Sequence, residues 1–180
     1  MYPTDTLYGL GVDALDEAAI RKVFELKRRP LSMPLPIAVN GLKMLKKFAF
    51  VDEKAESFIG EFLPGPLTVI LKKRLLSDIL TSGSEKVGVR IPDNDIALRL
   101  ISQCGAPITT TSANISGRSP PISVEEVKEQ MGGVNLILDG GDLESRLPST
   151  IVDLTDEPKI VREGKLAKEI IEKFLEKVYG

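Results

Sequence analysis

Side chains that could bind a small polar or anionic ligand are concentrated in a few short tracts of the chain. Hydroxyl, guanidinium, ammonium and amide groups are frequent in these tracts. In chain order they are MYPTDTLYGLG (1–11), KRRP (27–30), VGVRIP (87–92), ITTTSANISGRSPP (108–121) and STIVD (149–153). Groups of these types hold carboxylates and phosphates through charge and hydrogen bonds, so the tracts predict an anion-binding site.

The first tract contains two threonines two positions apart. A strand over 2–6 would place the hydroxyls of Thr4 and Thr6 on one face, because side chains alternate along a strand. Two hydroxyls on one face could form the wall of a ligand site. Threonine also favours strands for reasons of packing, so a solvated strand face is an equally good interpretation of this pair.

Three cations follow one another at the predicted end of the first helix. Lys27 and Arg29 could converge on a phosphate or a carboxylate, since Pro30 and Pro34 end the helix and stiffen the segment that follows. Cations at a helix C-terminus also stabilise the helix dipole without any ligand. The residues alone leave both interpretations open.

The remaining tracts raise the question of what their polar side chains contact. Arg90 lies inside an apolar run that predicts a strand, and a buried guanidinium needs either a protein carboxylate or a ligand carboxylate. Arg162 poses the same question with a weaker pattern, because it could simply be exposed. Ser112 and Asn114 lie in a predicted loop that could present hydroxyl, amide and N–H groups to phosphate oxygens, although such residues also form ordinary turns.

The hydrophobic pattern predicts alternating strands and helices that position these tracts in one α/β domain over 1–180. Four helices are predicted to begin after the N-caps Asp16, Asp52, Asn94 and Ser123, and a fifth helix lies at the C-terminal end. Further strands are predicted at 35–39, 67–72, 87–91, 106–110, 136–139, 150–154 and 159–161. The polar tracts fall at strand ends, where α/β proteins usually bind ligands.

The composition excludes several kinds of site. The chain has 180 residues with no histidine and one cysteine, which excludes a zinc site and a Ser-His or Cys-His nucleophile. A hard cation held by carboxylates and phosphates is compatible with this composition. The net charge of −2 gives no general attraction to nucleic acid or to an anionic membrane. Since no apolar run is long enough to span a bilayer, we expect a cytoplasmic protein with no membrane partner.

The order of the tracts, together with MPLPIAV (33–39), PGPLTVIL (64–71) and VREG (161–164), resembles the YrdC/TsaC family from Tyr2 to about Gly164. The resemblance implies a YrdC-like α/β fold, with a twisted mixed sheet and flanking helices around a concave, positively charged cavity. It implies a nucleotidyltransferase that makes L-threonylcarbamoyladenylate from L-threonine, bicarbonate and ATP, releasing pyrophosphate, with Mg²⁺ accompanying the ATP. A separate transferase would then use this product to modify an adenosine beside the tRNA anticodon.

The resemblance also implies roles for individual residues. The family's catalytic tetrad matches Lys27, Arg29, Ser112 and Asn114. The ATP-binding positions comprise this tetrad with Met33 and Arg162. The threonine-binding positions match Thr6, Arg90, Thr110 and Ser149. The resemblance implies no protein-bound metal and assigns no general base.

Members of the family usually carry a further segment before the YPT motif, which is formed here by residues 2–4. We expect the strand with Thr6 to be less firmly held without that segment, and activity to be impaired. The chain otherwise resembles the short, single-domain form of the family. The main alternative is a non-catalytic module that binds double-stranded RNA or tRNA in the same cavity. A carbamoyl-adenylating domain that does not use threonine, as in hydrogenase-maturation proteins, ranks third.

Overall fold

Two β-sheets and seven helices form the structure, which is a computed structural model describing residues 1–180. The strands, in chain order from β1 to β8, are Gly9–Leu10, Ile37–Ala38, Leu67–Lys72, Lys86–Arg90, Ile108–Thr109, Thr111–Ser112, Thr150–Asp153 and Lys159–Arg162. The helices, from α1 to α7, are Glu17–Lys27, Leu42–Phe48, Glu53–Phe62, Asp78–Thr81, Asp95–Cys104, Val124–Gln130 and Lys168–Tyr179. None of the helices is both long and apolar enough to cross a lipid bilayer.

The larger sheet has six strands in the order β5-β2-β4-β3-β7-β8. The pairs β2–β4 and β3–β7 are parallel, and the other three neighbouring pairs are antiparallel. The smaller sheet consists of β1 and β6 in an antiparallel pair. The predicted α/β fold with a mixed sheet and flanking helices is therefore confirmed.

The two faces of the larger sheet have different environments. Val69 of β3 pairs with Val89 of β4, and both lie in the same buried cluster as Phe58 of α3. Because side chains alternate along a strand, Thr68 and Arg90 lie on the opposite face. There they line a cavity, so one face of the sheet supports the core and the other carries the candidate site.

The four predicted N-caps are confirmed. The side chains of Asp16, Asp52, Asn94 and Ser123 each accept a hydrogen bond from a backbone N–H in the first turn of their helix. The sequence pattern does not predict α2 and α4. Helix α2 begins without a side-chain cap, and α4 is a single turn of four residues, so neither carries the usual signals.

The predicted strand over 2–6 is wrong, because this segment leads into a tight turn instead. Thr4 Oγ1 accepts hydrogen bonds from the N–H groups of Thr6 and Leu7, at 3.2 and 3.1 Å. These bonds give both donors an alternative to a partner in a sheet. Pro3 lacks an N–H group and so cannot donate to a neighbouring strand.

The predicted strand over 136–139 is also wrong. Leu138 donates one backbone hydrogen bond to the carbonyl of Met1 at 2.9 Å, but the segment belongs to neither sheet. Strands β2 and β5 have two residues each and are shorter than predicted. Pro36 and Pro107 directly precede them, and proline cannot donate the N–H that would extend the ladder.

Candidate active site

A cavity of about 430 Å³ opens on the polar face of the larger sheet. Its floor is formed by β3, β4 and β7, and its walls include parts of segments 4–9, 29–36 and 110–112. The cavity is lined by seven of the residues that the sequence predicts for the site, namely Thr6, Arg29, Arg90, Thr110, Ser112, Ser149 and Arg162. The other three, Lys27, Met33 and Asn114, lie outside this lining.

Arg90 contacts a protein carboxylate that the sequence pattern misses. Its Nη2 donates to Asp5 Oδ1 at 2.9 Å, and its Nη1 donates to Thr6 Oγ1 at 2.9 Å. Arg90 is 6% exposed, so the ion pair with Asp5 answers the need of a buried guanidinium for a counter-charge. The position of Asp5 between two threonines of a polar tract is the signal that could have identified it.

The hydroxyls of the first tract lie together although they are not on a strand. Thr4 Oγ1 donates to the carbonyl of Leu7 at 2.7 Å and lies 3.1 Å from Thr6 Oγ1. Since the proton of Thr4 is used on Leu7, the hydroxyl of Thr6 donates to Thr4 and accepts from Arg90. Both threonines are buried, so the turn holds the Thr6 hydroxyl in one orientation at the cavity wall.

Ser149 connects the cavity floor to the outer strand of the sheet. Its hydroxyl lies 2.8 Å from Thr68 Oγ1, and its carbonyl accepts from Arg162 Nη2 at 2.8 Å. Arg162 lies on β8, opposite Ile151 of β7, and its side chain reaches the rim of the cavity. Arg90 and Arg162 therefore approach the same cavity from two strands, an arrangement suited to an anionic ligand.

Lys27 is buried beneath Ser112, the last residue of β6, and the loop that follows it through Asn114. Its Nζ donates to the carbonyl of Ser112, to that of Asn114 at 2.7 Å and more weakly to Asn114 Oδ1 at 3.4 Å. Its own carbonyl accepts from the N–H of Ser116 at 2.9 Å. Burial, with a smaller effect from the Arg29 charge, lowers the pKa of Lys27 to about 8. The ammonium of Lys27 thus fixes the position of this loop.

Three residues of the predicted tetrad, Lys27, Ser112 and Asn114, share one hydrogen-bond network. Ser112 Oγ donates to Asn114 Oδ1 at 2.5 Å, and Asn114 Nδ2 donates to the carbonyl of Arg118 at 2.6 Å, so both belong to the network around Lys27. Arg29 is separate from this network. Its Nε and Nη2 donate to the carbonyls of Met33 and Pro34, at 3.0 and 2.9 Å.

The position of Arg29 follows from the way α1 ends. Arg28 adopts the left-handed conformation, with φ of 50°, and this reverses the chain directly after the helix. The hydrogen bonds from Arg29 to the carbonyls of Met33 and Pro34 then hold this segment in place. Arg29 also lines the cavity, and burial lowers the pKa of its guanidinium. Met33, at 45% exposed, lies on the outer side of this segment.

The far end of the cavity carries a second ion pair that the sequence pattern misses. Lys86 Nζ lies 3.1 Å from Asp153 Oδ2, and both residues line the cavity. Asp153 also accepts from the N–H and hydroxyl of Thr155, at 2.9 and 2.6 Å. The alternation of Lys86, Gly88 and Arg90 along β4 is the signal that places all three on the cavity floor. The structure contains no group of three or more acidic or cysteine side chains that could hold a metal ion.

A surface ion pair anchors the segment that leads to Ser149. Arg146 donates to both carboxylate oxygens of Glu126, at 2.8 and 2.6 Å, and to the carbonyl of Pro120 at 2.7 Å. The hydrogen bonds from Arg146, and then the one from the N–H of Ile122, lower the pKa of Glu126 to about 2.

Acid should weaken this anchor in a defined range of pH. A carboxyl whose pKa is depressed by folding contributes stability above its ordinary pKa of 4.5 and loses it as the pH falls through about 2. Glu126→Gln should therefore reduce the fall in melting temperature between pH 4.5 and about pH 2. Glu129→Gln, at an exposed position of the same helix, is the control. Identical pH profiles for wild type and Glu126→Gln would contradict the prediction.

The family model named Sua5_yciO_yrdC, described as "Telomere recombination", matches residues 1–164. The chain belongs to the Sua5/YciO/YrdC family. The resemblance predicted from the order of the tracts is thereby confirmed.

Relatives in the Sua5/YciO/YrdC family include proteins from an archaeon and a bacterium. The "Threonylcarbamoyl-AMP synthase" of Pyrococcus abyssi is 42% identical over 178 residues, which cover 97% of this chain and 52% of the relative. The protein of the same name from Bacillus subtilis is 38% identical over 176 residues, which cover 95% of this chain and 51% of the relative. The chain thus spans about half the length of these relatives.

Solved structures of the Sua5/YciO/YrdC family have the same fold. The crystal structure of P. abyssi Sua5 complexed with L-threonine matches with a TM-score of 0.94 and 41% identity, over 98% of this chain and 53% of that chain. The crystal structure of E. coli YciO matches with a TM-score of 0.85 and 32% identity, over 92% of this chain and 82% of that chain.

Proposed function

We propose that residues 1–180 act as one domain that makes L-threonylcarbamoyladenylate from L-threonine, bicarbonate and ATP, with release of pyrophosphate. The observation that carries this proposal is that residues predicted for the amino acid and residues predicted for the nucleotide line one cavity. The names of the P. abyssi and B. subtilis relatives support it, as does the complex of P. abyssi Sua5 with L-threonine.

The amino acid binds at the Arg90 end of the cavity. Arg90 holds the carboxylate of threonine, and Thr6, which is hydrogen-bonded to Arg90 at 2.9 Å, lies beside it. Thr110 and Ser149 supply further hydroxyls on the same side, and both line the cavity. Hydroxyls around a guanidinium suit a small, polar amino acid, because they satisfy its polar groups when it is removed from water.

The nucleotide binds between segment 29–36 and the rim at β8. Arg29 and Arg162 neutralise phosphate oxygens, and Ser112 lines this part of the cavity at a position that Lys27 fixes. Asn114 orients Ser112 through the bond between their side chains, and Met33 contacts the adenosine at the outer edge. Mg²⁺ accompanies the phosphates, since a hard cation prefers their oxygens.

The chemistry requires no nucleophile from the protein. The amine of threonine attacks the carbon of bicarbonate and water leaves, which gives a carbamate. A carbamate oxygen then attacks the α-phosphorus of ATP, and the bond to pyrophosphate breaks. The protein positions the two reactants and stabilises the charge that develops on the phosphates, and these two effects are large when the donors are fixed in advance. A separate transferase then passes the threonylcarbamoyl group to tRNA.

A pyrophosphate assay tests this function. Release should require threonine, bicarbonate and ATP together, and omission of any one should abolish it. No threonine-dependent release at any protein concentration would refute the proposal for this chain. If tRNA instead bound tightly with a steep salt dependence while ATP did not bind, the chain would be a non-catalytic RNA-binding module.

A further inference from the structure

We propose that Thr68, together with Ser149, recognises the β-hydroxyl of the amino-acid substrate. The cavity would then prefer threonine to an amino acid of the same shape that lacks a hydroxyl. The inference rests on the proposed function, because it concerns how the threonine site of the same cavity selects its substrate. Thr68 contacts the side chain of the substrate and not its reacting groups, so it is a specificity-determining residue.

Three neighbouring strands place Thr68 between Arg90 and Ser149. The pairing of Val69 with Val89 brings Thr68 of β3 beside Arg90 of β4. Ser149 directly precedes β7, which pairs with β3 on its other side. Thr68, Arg90 and Ser149 all line the cavity. The floor of the cavity thus carries a guanidinium and two hydroxyls on three adjacent strands.

The charge of Arg90 lies near Ser149 as well. Arg162 Nη2 donates to the carbonyl of Ser149 at 2.8 Å, and burial, followed by the positive charge of Arg90, lowers the pKa of Arg162. In threonine, only Cα and Cβ separate the carboxyl carbon from the hydroxyl oxygen. A carboxylate held by Arg90 therefore leaves the β-hydroxyl within reach of this part of the floor.

The hydroxyls of Thr68 and Ser149 have unused hydrogen-bonding capacity. Thr68 Oγ1 and Ser149 Oγ lie 2.8 Å apart, and neither has another partner in the protein. One hydroxyl proton forms the bond between them, so the other proton and several lone pairs are available to a ligand. A ligand hydroxyl both donates and accepts, whereas a methyl group in its place would leave a buried O–H without a partner.

Gly88 allows Thr68 to keep the orientation in which its hydroxyl faces Ser149. The methyl group of Thr68 lies on the side of Gly88, where a Cβ atom would be 3.2 Å from Thr68 Cγ2 and 3.2 Å from Pro36 Cβ. Such contacts are closer than most contacts of a Cβ atom. The missing side chain of Gly88 therefore makes room for the methyl group of Thr68.

Thr110 is the alternative reader of the β-hydroxyl, because it also lines the cavity. It directly follows β5, and β2 separates β5 from the strand that carries Arg90. Thr68 lies on the strand next to Arg90. The order of the strands therefore favours Thr68 over Thr110 for a group so close to the carboxylate of the substrate.

Calorimetric titration without ATP tests the inference. The ligands are L-threonine and L-valine, in which a methyl group replaces the hydroxyl. Both ligands carry the same charges, so the pair of Arg90 with Asp5 and the nearby cations Arg162 and Lys165 affect both alike. Wild type should bind threonine at least about 100-fold more tightly, and Thr68→Val should lower this preference by at least about tenfold through weaker threonine binding.

Three further variants separate the hydroxyl from the rest of the side chain. Thr68→Ser keeps the hydroxyl and should retain most of the preference. Thr81→Val makes the same change as Thr68→Val at a buried position outside the cavity lining and should keep the full preference. Ser149→Ala removes the other hydroxyl of the pair and should lower the preference as Thr68→Val does, which provides a test even if Thr68→Val does not fold.

Several outcomes would overturn the inference. Equal losses of affinity for threonine and valine in Thr68→Val would mean that Thr68 has only a structural role. A full preference in Thr68→Val, with a loss in Thr110→Val, would assign the β-hydroxyl to Thr110. Equal affinities of the wild type for the two ligands would overturn the inference alone, since threonine would still bind. If the wild type bound only valine, or neither ligand, the threonine site of the proposed function would fail as well.

Discussion

Replacing Arg90 with methionine should strongly weaken threonine binding, and it should lower the free energy of unfolding by about 3 kcal/mol or more because it leaves a buried carboxylate without its counter-charge. Methionine retains much of the aliphatic volume, so the loss arises mainly from the guanidinium. Asp5 would lose its ion pair, and the hydroxyl of Thr6 would lose the donor at 2.9 Å. The expected loss of threonine affinity is at least about 100-fold, as for a buried charged contact.

A double variant separates the two effects of Arg90→Met. Adding Asp5→Asn removes the unpaired charge and should recover most of the lost stability in denaturant unfolding. It should not recover threonine binding in calorimetry. Arg99→Met, at an exposed position of α5, is the control and should leave both quantities unchanged. A folded Arg90→Met protein that still bound threonine with wild-type affinity would show that Arg90 does not hold the threonine carboxylate.

Replacing Lys27 with methionine should lower the free energy of unfolding by about 3 kcal/mol, since it leaves buried carbonyls without a donor. Lys27 is 1% exposed, and its ammonium is shared by the carbonyls of Ser112 and Asn114. Methionine fills a similar volume but cannot donate a hydrogen bond. The loop after Ser112 should then be less firmly held, and ATP affinity should fall by at least about tenfold because only the pairing of β6 with β1 still positions Ser112 at the cavity.

The matched control for this prediction lies on the same helix. Lys22→Met removes an exposed ammonium from α1 and should change neither stability nor ATP binding. Denaturant unfolding and calorimetry with ATP would measure both effects. Unchanged stability in Lys27→Met would mean that the contacts of the ammonium contribute little to folding. An unchanged ATP affinity would mean that the loop keeps its position without them.

Local signals in the sequence predict much of the framework of this molecule. The caps at Asp16 and Asn94 are found directly, because a cap and the N–H groups it binds are neighbours in the chain. Strand β3 is predicted with the bounds observed, since its apolar run is bordered by Pro66 and by charged residues. The polar tracts also predict most of the residues that line the cavity.

The partners of the polar residues cannot be predicted in the same way. Arg90 and Asp5 are 85 positions apart. The sequence therefore predicts that Arg90 needs a counter-charge, but it does not indicate which carboxylate provides it. The partners of Lys27 are harder still to predict, because they are main-chain carbonyls and every residue has one. For Thr4 and Thr6, spacing by two positions fits a strand and a hydroxyl-closed turn equally well. Only Pro3 favours the turn.

The double attachment of Lys27 has a consequence for how the cavity can change shape. The same residue binds the loop through its side chain, at Ser112, and through its carbonyl, at Ser116. We therefore expect helix α1 and this loop to move together, and β1 to move with them because it pairs with β6. A widening or narrowing of the cavity would then be a change in the tilt of α1 against the larger sheet rather than an opening of the loop alone.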